Sequence, residues 1–224
     1  MGLPELKISE ASTYNRLSDA VYDTVMLAVE NASLSPGEVL SEVSIAKQLN
    51  VSRTPVHDAF RQLAKDGILE QTSGHRARIV EYSVNDVFEI FELRKVLEGE
   101  AAALAAGKMD LRQLVPLREK CLQLRDTFPS ADWYNQWRKH DMEFHRSIAE
   151  YSGNKRLAAD ISRYWMLRCG VVHVPLEQSS HPAVITAHLE ILDALQSRNS
   201  LTAKQAMVQH ITNCQTVYLK QLTK

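Results

Sequence analysis

Asp141 and His145 stand four residues apart, so on a helix both side chains leave the same face. His188 and His210 lie on two later helical stretches. Three imidazoles and one carboxylate from three helices could converge on one divalent cation. That donor set suits Zn²⁺ first, with Ni²⁺, Mn²⁺ or Co²⁺ as alternatives, and leaves positions open on an ion that takes six ligands. Spacing alone leaves a plainer alternative: such pairs recur by chance, and a buried imidazole is commonly satisfied by a carbonyl. A helical metallohydrolase using Asp141, His145, His188 and His210 would also need a general base beside the ion. Glu143 is the nearest carboxylate in sequence, but two residues from Asp141 it points roughly 200° away around the helix. A partner-binding bundle with structural histidines is a third possibility.

A second chemistry is carried by the run Val51-Ser52-Arg53-Thr54-Pro55-Val56-His57-Asp58-Ala59-Phe60-Arg61-Gln62-Leu63. Ser52 is placed to cap a helix over 52–66 through its hydroxyl, and Pro55 falls in the first turn, where its missing N–H costs nothing. Val56, Ala59, Phe60 and Leu63 make an apolar face. Arg53, His57 and Arg61 make a polar stripe turned away from it, with Thr54 and Asp58 beside. A helix packed on one side, with its polar N-terminal end outward, suits a DNA major groove: its backbone N–H groups favour phosphate, and Arg, Thr and His reach base edges. An ordinary amphipathic helix with a solvated face has the same pattern.

These residues need a frame, and 224 residues suffice for one large domain or two small ones. A hydrophobic share of 45% with 24% charged residues is that of a globular protein. No apolar run approaches a membrane span, and the start lacks the basic-then-apolar order of a secretory leader. Cys121, Cys169 and Cys214 are odd in number and widely spaced, which predicts reduced, mostly buried thiols in a cytoplasmic protein. Residues 1–83 carry eight Lys and Arg against eleven Asp and Glu, a net of −3. Any DNA contact there must come from locally placed cations, doubled by dimerisation.

Residues 1–13 show no periodicity and read as a mobile arm. A helix over 15–32 follows, with Leu17, Val21, Val25 and Ala28 on one face, then a break at Ser35-Pro36-Gly37. Val39-Leu40 is a scrap of strand. Ser41 is placed to cap a helix over 42–49, with Ile45, Ala46 and Leu49 inward, and Asn50 tolerates the left-handed turn that ends it. After the 52–66 helix, closed by Asp66-Gly67, residues 68–71 and 77–80 alternate as two strands of a hairpin whose tip holds Gly74, His75 and Arg76, fit for a phosphate or a minor groove. The order is that of a winged helix-turn-helix over 14–82.

From 83 to 224 the pattern is helical throughout and predicts an all-α six-helix bundle. The expected helices run from a Ser83…Asp86 capping box to about Ala106, from Asp110 to about Phe128, over 131–151, from Asn154 to about His173, over 183–197 and over 201–222. Val174–Pro182 is the longest irregular stretch, with His173 and His181 as loop residues on its flanks. His140 is expected on the surface, about 100° from Asp141. Cys169 is expected to pack rather than ligate. The fold class is therefore mainly α, a winged helix-turn-helix followed by a helical bundle.

Pro36-Gly37-Glu38…Leu40-Ser41-Glu42…Ala46…Leu49…Val51-Ser52-Arg53-Thr54-Pro55-Val56…Ala59-Phe60…Leu63…Gly67-Ile68 resembles the DNA-binding domain of GntR-family bacterial transcription regulators. His57 stands where that family usually has Arg, Val43 where relatives are sometimes basic, and the wing glycine is displaced. Asp141-Met142-Glu143-Phe144-His145, Ser152-Gly153-Asn154, His188…Ile191-Leu192-Asp193-Ala194-Leu195 and His210 resemble the FCD-type effector domain of the FadR-like branch, over about 84–222.

The resemblance implies a metabolite-responsive regulator, no enzyme, that binds an inverted-repeat DNA operator as a homodimer. Ser52, Arg53, Thr54, His57, Arg61, Gly74, His75 and Arg76 would be its DNA contacts. It implies a metal on Asp141, His145, His188 and His210 whose open positions take a small carboxylate effector, with repression relieved by effector as the usual mode. Arg94 matches an effector-pocket arginine able to hold a carboxylate bidentately, although Glu98, one turn on, offers it an ion pair instead. Asn154, Arg163 and Arg168, with Tyr164 and Trp165, are the further pocket candidates.

Overall fold

The computed structural model describes residues 14–30, 33–72, 74–129, 133–171 and 181–222. The 1–13 arm, Ser73 of the wing tip, His173 and most of the 174–182 stretch lie outside them, as do the side chains of Arg168 and Cys169. The chain divides into two compact units, Met1–Ser83 with Met166–His173, and Val84–Trp165 with Val174–Lys224. Among the described residues no helix is long and apolar enough to cross a membrane.

In the first unit α1 (Tyr14–Glu30) packs on α3 (Arg53–Lys65), with α2 (Glu42–Gln48) beside α3. Val21, Val25, Ala28 and Val29 meet Val56, Ala59, Phe60 and Leu63, all at most 2% exposed, as the apolar spacing predicts. Burial of these side chains is the main favourable term, about 1.5–3 kcal/mol for each large one. Asn50, φ 52, makes the left-handed turn between α2 and α3. Asp66 closes α3, and its carboxylate accepts from Tyr22 Oη at 3.0 Å and Gln62 Nε2 at 2.9 Å, tying α1 to the end of α3.

The wing is a three-stranded antiparallel sheet, β1 (Val39–Ser41), β2 (Leu69–Thr72) and β3 (Arg76–Ile79), in the order β1-β3-β2. The short Val39-Leu40 stretch is thus an edge strand, with Leu40 opposite Ala77 and Leu69 opposite Ile79. These four side chains are all buried and make the inner face.

Two expected caps differ from the sequence reading. Ser41 and Ser52 occupy N-cap positions with extended backbone, but neither side chain caps its helix. At α3 the reason is Pro55: it stands three residues after Ser52 and lacks the N–H that a capping hydroxyl most often meets there. Ser41 is instead the last residue of β1, paired with Arg76.

The second unit contains α4 (Val84–Ala105), α5 (Leu111–Asp126), α6 (Trp133–Tyr151), α7 (Lys155–Val171) as far as Trp165, α8 (His181–Gln196) and α9 (Ser200–Leu222). Asp110 and Gln113 form a reciprocal capping box on α5. Gly99 lets α4 and α9 come together: a Cβ there would stand 2.7 Å from Val208 Cγ2. A mid-helix glycine costs about 1 kcal/mol of helix propensity, so the close approach is what it secures. α8 begins two residues earlier than the sequence suggests. His181 is its first residue rather than a loop residue and is 2% exposed, its ring edge-on to Trp133 at 4.5 Å. Pro182 reads as a break but is tolerated in a first helical turn.

Candidate metal centre and nucleic-acid face

α6 supplies Asp141 and His145 from one face, α8 supplies His188 and α9 supplies His210. All four are at most 6% exposed. One donor atom from each lies within 4.8 Å of the others. Asp141 Oδ1 is 3.6 Å from His145 Nε2 and 3.4 Å from His188 Nε2, and the Nε2 atoms of His145 and His210 face each other at 3.3 Å. Donors held about 2.0–2.1 Å from a common Zn²⁺ stand roughly 3.3 Å apart around it, so these separations fit one ion. One of these two Nε2 atoms carries the proton between the rings; a cation there would replace it.

The strongest sign of fit is His188. Its ring is 0% exposed and stacked on Phe144 at 3.9 Å, yet neither nitrogen has a hydrogen-bond partner. Its approach to Asp141 is close without hydrogen-bond geometry. Leaving a buried polar atom unpaired costs about 1–3 kcal/mol, and a bound cation would remove that cost at Nε2.

Protonation states favour ligation as well. Burial, reinforced by His210, pushes the His188 pKa well below its ordinary value. Burial and the neighbouring His145 lower that of His210 to about 3. Both rings are therefore neutral and hold lone pairs for a metal. His145 differs: burial opposes its charge, but Glu98 and then Asp141 outweigh burial and raise its pKa. Glu98, 2% exposed on α4, accepts from His145 Nδ1 and from Arg94 Nε, the latter at 2.6 Å. Burial opposes its ionisation, yet Arg94 and His145 hold its pKa down to about 2. Engaging Nδ1 turns Nε2 of His145 into the cluster, the role outer-sphere carboxylates play at metal sites.

His140 is not on the surface. It is 2% exposed, and its Nε2 is hydrogen-bonded to the Cys121 thiol at 3.1 Å. Burial lowers the His140 pKa to about 4 and raises that of Cys121 to about 12. Because α6 buries Trp133, Trp137, His140, Asp141, Phe144, His145, Ile148 and Ala149, positions 100° apart are both inside. Glu143, by contrast, is exposed and is not placed beside the donors as a hydrolase's base would be.

Among the effector candidates, Arg94 is buried and joined to the cluster through Glu98. Asn154 is exposed and caps α7, its Oδ1 accepting from the backbone N–H groups of Arg156 and Leu157 at 3.2 Å. Arg163 is exposed, Tyr164 half-buried and Trp165 buried.

The histidines set a pH dependence. Without bound metal, His140, His188 and His210 take up protons in the unfolded chain near pH 6.5 but only at lower pH when folded. Stability therefore falls as pH drops below about 6.5, by about 1.4 kcal/mol per pH unit for each group. His145 works in the opposite sense: its contribution is full below the unfolded pKa and fades as pH rises through the folded one. Three groups against one leave the chelated protein less stable at pH 5 than at pH 7 by a few kcal/mol on this slope. Urea denaturation at both pH values checks it, and equal stability would contradict the buried, neutral histidines.

On the winged unit Ser52, Arg53, Thr54 and Arg61 are exposed on α3, His57 is half-buried, and Gly74, His75 and Arg76 are exposed on the wing turn. One residue that sequence reading passed over links them. Glu42, buried at the start of α2, accepts from His57 Nδ1 at 2.8 Å and lies 3.4 Å from His75 Nδ1 and 3.9 Å from Arg53 Nη2. Its partners are far apart in sequence, so no spacing could reveal it.

The chain matches the gntR family of bacterial regulatory proteins over residues 17–79 and the FCD domain over residues 89–213. It is 30% identical over 200 residues to the Uxu operon transcriptional regulator of Escherichia coli strain K12, covering 80% of this chain and 77% of that one. It is 26% identical over 208 residues to the probable D-xylose utilization operon transcriptional repressor of Paenarthrobacter nicotinovorans, covering 91% and 89%. The solved structure of E. coli McbR/YncC shares the fold, with TM-score 0.82 at 21% identity over 93% of this chain and 99% of that one.

Proposed function

This chain belongs to the gntR family of bacterial regulatory proteins and carries an FCD domain behind its DNA-binding half, and from that premise we propose that it is a cytoplasmic, homodimeric repressor whose grip on its operator is set by a small carboxylate bound at a metal in the helical unit. As a regulator of transcription it binds DNA, and the hydrolase reading falls with the family. The observation that carries the sensing half of the proposal is the convergence of Asp141, His145, His188 and His210 around a buried His188 with both nitrogens unpaired. Zn²⁺ suits that set best, with Ni²⁺, Mn²⁺ and Co²⁺ as alternatives.

When bound, the metal supplies a Lewis-acidic point on which a carboxylate can sit. Arg94 gives Nε to Glu98 and is proposed to turn its terminal amino groups to the effector. Asn154 and Arg163, both exposed, stay as proposed effector contacts, and Arg168 is a candidate whose side chain lies outside the described ones. Each protomer puts α3 into one major-groove half-site and the wing turn on the flanking backbone, so the operator is a short inverted repeat. Repression is the mode named for the Paenarthrobacter nicotinovorans relative. The effector acts by binding one of two arrangements of the helices more tightly, and its leverage equals that difference in affinity.

Affinity selection from random duplex DNA at two salt concentrations tests the proposal. An enriched inverted repeat with steep salt dependence is expected; no enriched sequence, with metal or after chelation, refutes the groove assignment. On the selected site, Arg53→Ala is expected to remove specific binding, a loss of about 1–3 kcal/mol per half-site if a bidentate base contact goes. The circular dichroism of the helical unit should stay unchanged. Undiminished binding would exclude Arg53 from the groove.

A further inference from the structure

The winged unit holds a second set of metal-type donors. Glu42 opens α2, His57 lies in the second turn of α3, and His75 sits in the turn between β2 and β3. One donor atom from each lies within 4.8 Å of the others. The Glu42 side chain is 8% exposed, with Oε1 at 2.8 Å from His57 Nδ1 and Oε2 at 3.4 Å from His75 Nδ1. Glu42 N–H also donates to the His75 carbonyl at 3.1 Å, while His75 keeps φ 58, a conformation uncommon outside glycine. The backbone thus holds the wing turn where its imidazole reaches the same carboxylate as His57.

We infer that Glu42, His57 and His75 bind a divalent transition-metal cation, with Zn²⁺ the best match, on the surface of the winged unit that carries the α3 and wing-turn candidates. Ligand atoms around tetrahedral Zn²⁺ stand roughly 3.3 Å apart; His57 Nδ1 is 2.8 Å from one Glu42 oxygen and His75 Nδ1 3.4 Å from the other, so small side-chain adjustments suffice to bring the three groups onto one ion. Three protein donors leave a fourth position for water or a phosphate oxygen. Ligation through Nδ1 leaves each Nε2–H as a donor on a side chain that is 45% exposed at His57 and 63% at His75. The cation also takes the carboxylate from Arg53, now 3.9 Å from it, and frees that guanidinium for DNA.

Charge gives the site a consequence. Residues 1–83 carry a net of −3 while the unit must approach a polyanion. One bound Zn²⁺ adds two positive charges at the proposed contact surface. Zinc therefore tightens operator binding and steepens the slope of log K against log salt by about 2 per protomer. This consequence rests on the groove placement proposed above; the existence of the site does not.

The test is zinc per chain in the full-length protein, measured by mass spectrometry after equilibrium dialysis. The unsubstituted protein is expected to hold two equivalents, one on each unit. His57→Gln with His75→Gln should lose one, with circular dichroism unchanged, since the two side chains are 45% and 63% exposed. His188→Ala with His210→Ala should lose the other. If the His57/His75 variant holds as much zinc as the unsubstituted chain, the inference is overturned, whatever the helical unit does. A count that falls while operator affinity stays indifferent to zinc supports the site and overturns its role in DNA binding.

Discussion

Replacing Glu98 by Ala is expected to destabilise the helical unit by about 3–5 kcal/mol, the cost of leaving a buried charge without its partner. Arg94 is 4% and Glu98 2% exposed. The carboxylate takes Arg94 Nε on one oxygen and His145 Nδ1 on the other. Removing it strands a guanidinium that cannot shed its proton and an imidazole that has lost what favoured its charge. With its pKa held to about 2, Glu98 is ionised throughout the working range, and the share of the loss that comes through His145 is full at pH 6 and fades as pH rises above about 6.5. Urea denaturation of the chelated protein measures it; a loss under about 1 kcal/mol would mean the pair is better solvated than its burial implies.

A paired replacement separates stability from tuning. Exchanging a buried ion pair for apolar side chains of similar volume is often neutral or stabilising. Arg94→Met with Glu98→Leu should therefore recover most of the stability lost by Glu98→Ala. His145 would still lack its Nδ1 acceptor, and metal affinity should remain about 10–100-fold low, as when an outer-sphere partner is removed. The two readouts part only if Glu98 orients a metal ligand as well as neutralising Arg94.

Legibility followed the range of the interactions involved. The helices on either side of the wing were readable because each buries one face, and a period of 3.6 survives in the chain whatever the face packs against. β1 reads as a scrap of strand because its partner, β3, lies 35 or more residues on. The Ser52 cap failed for a local reason, Pro55, that could have been weighed. His140 failed for a global one: helical geometry gives the angle from Asp141 correctly, but only the packing around α6 shows how wide its buried face is. The four donors of the metal centre could be picked out by residue type, and the Asp141/His145 pair by spacing. Their convergence, and Glu98 behind them, are products of how α4, α6, α8 and α9 pack. Glu42 is the extreme case, a buried carboxylate whose importance lies wholly in residues from other elements.

His188→Ala with His210→Ala is expected to remove one metal equivalent per chain and, with it, the sensitivity of the helical unit to chelation. A ligand that binds only the folded state adds RT ln(1 + [L]/Kd), about 2.7 kcal/mol at a hundredfold excess over Kd. For a unit of this size that is on the order of 10 °C in Tm. Chelator should thus lower the Tm of the unsubstituted protein by roughly that amount and leave the variant where it is. The variant's own starting point is informative: losing two imidazoles opens space beside Phe144, yet it also deletes the two unpaired nitrogens of His188. Cavity cost and relief of unpaired polar atoms oppose each other, so the variant should stay folded and hold its operator while no longer responding to small mono-, di- or tricarboxylates. A Tm in the unsubstituted protein that chelation does not move would leave His188 as a buried imidazole without a hydrogen-bond partner. The helical unit would then need a different account of how it senses anything.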